Sequence, residues 1–205
     1  MSPEIRELIG VLLCTINCTG SVLEIGATPE STLLDLPQLA HAQEKIGINF
    51  DPAVCDFQIQ HGNANHMPQF KDGQFSLVLC NSVLEHDLCF WKTLSEVSRV
   101  TSSSGVVIIG VPSYNEMGSW RILLNGSLFS HLIYKSLSWL IPESVNASSI
   151  TLGLHDFPSD YYRFSANALK VLLLEFCQSV EVHELMQPPR VIAVGRMPRN
   201  IGRIK

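Results

Sequence analysis

Short apolar runs alternate with amphipathic or polar stretches along most of the chain, at the spacing expected of alternating strands and helices. The predicted strands are 21–26, 45–50, 56–61, 75–80, 106–111, 180–185 and 190–195, and the clearest predicted helices are 90–100 and 165–177. Strands that alternate with helices favour a parallel sheet covered on both faces. The last two strands are joined by a short segment, Met186-Gln-Pro-Pro189, which predicts an antiparallel pair at the end of that sheet.

Residues 114–150 break this rhythm. The part from 120 to 141 is rich in Leu, Ile, Phe and Trp, with Ser and Gly between them. It predicts one or two helices inserted after the fifth strand, as a lid or as a dimer surface, and the pattern does not choose between the two. We therefore predict one domain over residues 1–205 with a helical insertion at 114–150.

Composition narrows the function classes. The chain has 205 residues, of which 46% are hydrophobic and only 16% are charged, so it can bury a substantial core. A formal charge of −5 provides no basic field for tracking nucleic acid. The apolar run 8–16 is too short to span a bilayer, and the acidic Glu4 and Glu7 before it are unlike a signal peptide. We expect neither a nucleic-acid nor a membrane partner.

The six cysteines form no CxxC pair. Cys80 and Cys177 lie inside apolar runs, where cysteine behaves as a small hydrophobic residue. We interpret all six as reduced thiols of a cytoplasmic protein, and we expect no metal site.

The first predicted strand ends in Glu24-Ile-Gly26, and Ala27-Thr-Pro-Glu30 follows it. Thr28 could cap a helix whose first residue is Pro29, so a helix amino terminus is predicted beyond the strand. A dinucleotide-binding turn needs glycines two and five residues after Gly26, where this chain has Thr28 and Ser31. A plain structural turn is an equally good interpretation of this segment.

Polar side chains follow the next three strands. Asn49 and Asp51 come after the second strand and could bond ribose hydroxyls, although Asp51-Pro52 could simply begin a turn. Asn63 and Ala64 follow the third strand, beside an apolar segment suited to an aromatic base. After the fourth strand come Asn81, Ser82 and the pair Glu85-His86, at the sheet edge where ligands bind in such folds.

With these spacings the chain resembles the class I S-adenosylmethionine-dependent methyltransferases, in particular their small-molecule, type 11-like branch. The resemblance covers about residues 20–113, and the fourth-strand motif 72–86 is its most specific part. It implies a Rossmann-like α/β fold, with a seven-stranded mixed sheet whose last strand is antiparallel, and S-adenosylmethionine as cofactor. The residues that it places at the cofactor are Glu24, Gly26, Ala27, Asn49, Phe50, Asp51, Asn63, Ala64, Asn81 and Ser82.

The chain departs from the family pattern at the same site. Family glycines are replaced by Ala27, Thr28 and Glu30, and the family's ribose and adenine acids by the amides Asn49 and Asn63. Amides still form hydrogen bonds, but without the added strength that a charge gives. Side chains at Thr28 and Glu30 would narrow the space for the amino-acid part of the cofactor.

The segment from His155 to Phe164 concentrates histidine, acids, tyrosines and arginine within ten residues. It resembles a segment that borders the acceptor pocket in a subset of the family, and a buried polar anchor is its structural alternative. His86, His155 and Tyr161 are the candidate catalytic residues, because a histidine can take a proton near neutral pH. Arg163 could bind an acidic group of the acceptor or pair with Asp160.

Three hypotheses follow. The first is methyl transfer to an oxygen or nitrogen of a small-molecule or glycan-like acceptor, by a monomer or a homodimer. The second is a methyltransferase-like binding or scaffold protein without turnover, which the altered first motif favours. A nicotinamide-dependent oxidoreductase is the third, and the missing glycines count against it.

Overall fold

The computed structural model describes residues 1–16, 18–113, 160–186 and 189–198. The predicted insertion 114–150 and His155 lie outside these residues. In chain order the strands are β1 (Ser21–Ile25), β2 (Glu44–Asn49), β3 (Ile59–His61), β4 (Phe75–Asn81), β5 (Thr101–Pro112), β6 (Cys177–Met186) and β7 (Pro189–Pro198). The helices are α1 (Pro3–Leu13), α2 (Phe90–Val100) and a short α3 (Ala166–Ala168), which continues as a π-helical turn at Leu169–Leu173.

The seven strands form one sheet in the order β3-β2-β1-β4-β5-β7-β6. The strands from β1 to β5 pair in parallel, while β7 pairs antiparallel with both β5 and β6. The predicted Rossmann-like α/β fold, with seven strands and an antiparallel last strand, is confirmed. Because the order reverses between β1 and β4, the carboxyl ends of these strands open a crevice at that point.

Apolar residues cover both faces of the sheet. One core cluster contains Phe75, Val97 and Phe176, and includes residues of α2 and of the π-helical turn. The other contains Ile5 and Ile9 of α1, together with Leu33 and Leu39 from the segment between β1 and β2. Alternate residues of 77–80 in β4 and of 106–109 in β5 point into opposite clusters, which is why these central stretches are apolar at every position.

The helix predicted to begin at Thr28 and Pro29 is wrong. Residues 26–43 form a series of turns, and the only helical part among them is a 3-10 turn, Pro37–Leu39. The reason is a competing hydrogen bond, because the Glu24 carboxylate accepts from the backbone N–H of Leu33 and holds the segment in a turn. The four leucines 33, 34, 36 and 39 reach the core from this irregular segment.

Other boundaries also differ from prediction, and β5 and β6 begin five and three residues earlier than predicted, at Thr101 and Cys177. The strand predicted from Asp56 begins at Ile59, because the Asp56 carboxylate accepts from the N–H groups of Gln58 and Ile59 and forms a turn. The helix predicted over 165–177 ends at Leu173, and Cys177 already begins β6.

Candidate functional site

A cleft of about 1090 Å³ opens at the carboxyl ends of the parallel strands. Eleven of the thirteen residues predicted for the site line it: Glu24, Gly26, Asn49, Phe50, Asp51, Asn63, Ala64, Asn81, Ser82, His86 and Tyr161. Ala27 is buried behind the wall, only 1% exposed. The thirteenth residue, His155, lies outside the described residues. The topology therefore brings residues from five separate parts of the chain to one crevice.

The turn after β1 requires a glycine. Gly26 has φ +78°, and a Cβ there would clash with the side chain of Val83. The backbone N–H groups of Gly26 and Ala27 both donate to the carbonyl oxygen of Ile48, at 2.8 and 3.2 Å. This turn consequently packs against β2, and these two N–H groups already have a protein partner.

Glu24 is the buried acid of this turn. It is 4% exposed, and its carboxylate accepts from the Thr32 hydroxyl at 2.6 Å and from the Leu33 N–H at 2.9 Å. Burial raises the pKa of Glu24 to about 7, although these hydrogen bonds act in the opposite direction. Glu24 thus stabilises the turn that replaces the predicted helix.

The end of β2 presents Asn49, Phe50 and Asp51 to the cleft. The Asn49 amide donates to the carbonyl oxygen of Ala27 at 2.8 Å, and its oxygen accepts from the Asp51 N–H at 2.9 Å. Phe50 is 73% exposed, a large apolar surface beside the cleft. The Asp51 carboxylate is exposed and accepts from the Ala53 N–H, so it caps the 3-10 turn Pro52–Val54.

The segment after β3 is tied to the start of α2. Asn63 accepts from the Asn65 N–H at 2.9 Å, and the Asn65 amide donates to Asp87 and Thr93 at 2.6 and 2.9 Å. The oxygen of Asn63 is therefore engaged in a local turn, while no hydrogen bond from its NH2 group to a described residue is present. That NH2 group is available as a donor in the cleft wall.

The end of β4 forms the floor. Ser82 has φ +59°, which is unusual for a residue with a side chain, and its N–H donates to the carbonyl oxygen of Gly110 at 2.9 Å. The Asn81 NH2 group donates to the Ser82 hydroxyl at 3.2 Å. A side chain at Gly110 would clash with the Asn81 oxygen, so the glycine allows this close approach.

Sequence reasoning missed two charged residues, Glu85 as a buried ion and Arg190. Arg190 lies on β7, 7% exposed, and its Nη1 donates to the Ser82 hydroxyl at 2.8 Å and to Glu85 at 3.3 Å. Glu85 is fully buried, and its carbonyl oxygen accepts from the Tyr161 N–H at 2.7 Å. The only feature of the sequence that indicated Arg190 was its position, as a charged residue at the start of an apolar strand.

Burial shifts both ions toward their neutral forms. It raises the pKa of Glu85, and the positive charge of Arg190 opposes that rise. It lowers the pKa of Arg190, and the negative charge of Glu85 opposes that fall. Desolvation outweighs the attraction on both sides, as is common for a pair taken out of water.

The segment 160–164 borders the cleft on its other side. Arg163 forms a two-point ion pair with Asp160, which is the structural alternative considered for it, and Arg163 also lines the cleft. Tyr161 is 48% exposed, whereas the Tyr162 hydroxyl donates to the carbonyl oxygen of Leu88 at 3.1 Å. His86 and Tyr161 therefore lie in the wall of one cleft.

Other features of the described part of the chain are simpler. No group of three or more His, Cys, Asp or Glu residues there could hold a metal ion. All six cysteines are free thiols. No helix among the described residues has the length and apolar character needed to cross a membrane.

This chain is similar to known proteins both in sequence, over part of its length, and in fold. Residues 21–109 match the family model described as a methyltransferase domain. No curated protein sequence matches the chain significantly. Among the solved structures with a similar fold, three are described below. Their sequence identity to this chain is low, so the likeness is evidence for the fold and not for the function.

The first of these three is a Thermotoga maritima protein described as an S-adenosylmethionine-dependent methyltransferase, possibly a histamine N-methyltransferase, with 18% identity, a TM-score of 0.56, and coverage of 94% of this chain and 88% of that one. A methyltransferase from Archaeoglobus fulgidus has 14% identity, a TM-score of 0.58, and coverage of 93% and 94%. Phosphoethanolamine N-methyltransferase 2 of Haemonchus contortus, in complex with S-adenosylmethionine, has 10% identity, a TM-score of 0.61, and coverage of 97% and 53%. This chain thus spans about half of the Haemonchus protein.

Proposed function

We propose that the protein is a class I S-adenosylmethionine-dependent methyltransferase of the type 11 branch, and that it methylates an oxygen or nitrogen of a small-molecule or glycan-like acceptor. The match of residues 21–109 to the methyltransferase-domain model supports the family. The observation that supports this most directly is the cleft, which gathers polar residues from the ends of four neighbouring strands. Its volume of about 1090 Å³ slightly exceeds the usual range of ligand pockets, about 300–1,000 Å³, so it has room for cofactor and acceptor together.

The residues around β2 and β3 fit the adenosine part of S-adenosylmethionine. Phe50 offers an exposed ring for stacking, and Asp51 offers an exposed carboxylate for ribose hydroxyls. The Asn63 NH2 group is a donor for a ring nitrogen, and Ala64 provides apolar surface beside it. Asn49 keeps one lone pair of its amide oxygen for a hydroxyl.

The residues around β1 and β4 fit the remaining part of the cofactor. Gly26 leaves the cleft open beside Val83, and Asn81 and Ser82 supply polar groups on the floor. The predicted narrowing applies to Thr28, which lines the cleft, while Glu30 is exposed to solvent outside the lining. Glu24 would act here through the turn that it stabilises.

When bound, S-adenosylmethionine supplies an electrophilic methyl group for an in-line displacement. The protein has to position the acceptor atom and accept its proton late in the reaction. His86 and Tyr161 line the same cleft and are proposed for this role, with His155 as a further candidate. No fixed triad is required, because positioning supplies much of the rate.

A second function is favoured by a specific observation. The helix that would normally follow β1 is replaced by turns, and both oxygens of Glu24 are engaged within the protein. A binding or scaffold protein that retains the fold without turnover would show the same features. This alternative predicts that the chain binds the cofactor weakly or not at all.

The wider setting is part of the proposal. We also propose that the protein is cytoplasmic and that residues 1–205 form one domain with a helical insertion at 114–150. This insertion could serve as a homodimer surface. The formal charge of −5 supports a small-molecule acceptor over nucleic acid. We also propose that no membrane partner is involved.

The decisive experiment is calorimetric titration of the full chain with S-adenosylhomocysteine and S-adenosylmethionine. We expect saturable binding, and Asn63→Ala should weaken it by about 1 kcal/mol through loss of a hydrogen bond. Tyr161→Phe should slow methyl transfer and leave cofactor affinity nearly unchanged. Absence of binding at millimolar ligand would instead support the scaffold function.

A further inference from the structure

The guanidinium group of Arg190 offers unused donors to the cleft. Its Nη1 donates to Ser82 and Glu85, but no hydrogen bond from its Nε or Nη2 to any described residue is present. The side chain is only 7% exposed, and it is part of the cleft lining. A buried arginine that keeps donors facing a pocket is suited to bind a planar or tetrahedral anion through two parallel hydrogen bonds.

The charges around Arg190 leave room for one more anion. Glu85 pairs with Arg190 and Asp160 pairs with Arg163, so these four side chains carry no net negative charge that would repel a further anion. Glu85 Oε2 is buried and has no hydrogen-bond partner in the described part of the chain.

The position of Arg190 links this charge to the reaction site. Ser82, which accepts from Arg190, is adjacent to Asn81 on the proposed cofactor floor, and Glu85 is adjacent to His86 in the wall. Arg190 enters from β7, while the proposed adenosine contacts are at the ends of β2 and β3, on the other side of β1 and β4. A group bound by Arg190 would therefore lie toward the acceptor side of the cleft.

We propose that the acceptor is an acidic molecule, whose carboxylate or phosphate is bound by the Nε and Nη2 groups of Arg190. This inference rests on the proposed methyl transfer and narrows its substrate class. The anion serves to position the acceptor, and the methyl-accepting atom is a separate oxygen or nitrogen of the same molecule. Arg190 is thus a specificity-determining residue.

The test uses the full chain, with and without saturating S-adenosylhomocysteine. Inorganic phosphate and acetate are titrated at constant ionic strength, with chloride as the balancing anion, and binding is followed by thermal unfolding. We expect one of the two anions to stabilise the protein saturably. Arg190→Gln should weaken that binding at least ten-fold, and Arg190→Lys should restore part of it.

The matched control is Arg196→Gln, which removes the same charge from the same strand. Arg196 lies six residues along β7, outside the cleft lining, and donates to Thr15. We expect it to leave anion affinity within two-fold of the parent. Equal losses in the two glutamine variants, or no response of the parent to either anion, would overturn the proposal.

Two further outcomes separate the hypotheses. If Arg190→Gln weakens S-adenosylhomocysteine ten-fold while anion binding is unchanged, Arg190 binds the cofactor's own carboxylate and the proposal is wrong. If the parent binds no S-adenosylhomocysteine but still binds phosphate or acetate through Arg190, methyl transfer fails and the anion site stands.

Response to phosphate indicates a phosphate monoester, and response to acetate indicates a carboxylic acid. Circular dichroism checks folding, and Arg190→Lys decides if the glutamine variant is unfolded.

Discussion

At the scale of single residues, Asn49 and Asn63 stand at positions where the methyltransferase family that the chain resembles has acids. The structure explains the amide at only one of these two positions. Asn49 donates to the carbonyl oxygen of Ala27 at 2.8 Å, a bond that an aspartate could not form. Asn63 only accepts, from the N–H of Asn65, and an aspartate could do the same. The substitution at position 49 is therefore coupled to the turn after β1, and the one at 63 is not.

This difference leads to a prediction for Asn49→Asp. The variant restores the family acid but places a carboxylate against the Ala27 carbonyl oxygen, so we expect a loss of about 1–2 kcal/mol in the free energy of unfolding and no gain in cofactor affinity. Urea denaturation and calorimetry measure the two effects. Asn63→Asp is the control and should change stability by less than about 0.5 kcal/mol. A tighter cofactor complex in Asn49→Asp would contradict this explanation.

A second prediction concerns the pH dependence that Glu24 produces. Its pKa of about 7 in the folded protein exceeds the value of an exposed glutamate, so the folded state binds more protons between about pH 4.5 and 7. The free energy of unfolding should fall across this window as pH rises, by on the order of 3 kcal/mol at most.

Glu24→Gln removes this titration, and its urea midpoint should fall less between pH 5 and 7 than that of the parent. Glu85 titrates in the same direction and is present in both proteins, so the difference between the two curves isolates Glu24. Parallel curves would show that Glu24 is already ionised at pH 5 in the folded protein.

The residues that were hardest to predict are those whose contacts join parts of the chain that are far apart in sequence. Most of the cleft residues were found because they lie in the last residues of an apolar strand or shortly after it, a position that topology brings to one edge. Arg190 lies at the start of β7, and its contact with Ser82 depends on β7 pairing with β5 beside β4. No local pattern records a contact between residues 108 positions apart.

At the scale of elements, the strands were predictable and the segment after β1 was not. Long apolar runs identify β4 and β5 whatever surrounds them. Thr28 and Pro29 have the residue types of a helix start, but Glu24, buried in the preceding strand, binds Leu33 and fixes a turn instead. A tertiary hydrogen bond thus overrode a correct local preference.

The revised segment changes what glycine substitutions should do. Thr28→Gly removes a side chain from the cleft lining, so we expect S-adenosylhomocysteine to bind a few-fold more tightly. The same change loses the Thr28–Ser31 hydroxyl contact at 2.9 Å and should lower stability by about 0.5–1 kcal/mol.

Glu30→Gly is the matched control, because Glu30 is exposed and outside the lining. Calorimetry on both variants should show a change of affinity only for Thr28→Gly. Weaker binding in Thr28→Gly would mean that the threonine itself contacts the ligand.

At the scale of the whole molecule, α1 covers one face of the sheet and also reaches the cleft. Ile5 and Ile9 pack in the same cluster as Leu77 and Ile108, which come from the central strands β4 and β5. Ile5 also lines the cleft, together with Met1 and Ser2. The helix therefore links the stability of the sheet to the shape of the site, a role that its short apolar run did not reveal.

The last prediction measures this link with two substitutions on α1. Ile9 is 0% exposed, so Ile9→Ala should lower the free energy of unfolding by about 2–5 kcal/mol through lost burial and a residual cavity. Val11 is 59% exposed on the same helix, and Val11→Ala should change it by less than about 0.5 kcal/mol. Urea unfolding tests both, and S-adenosylhomocysteine titration of the folded variants tests the site. Because α1 contributes to the cleft wall, Ile9→Ala should also weaken this ligand, whereas Val11→Ala should not. Equal stability of the two variants would show that α1 does not cover the core in solution.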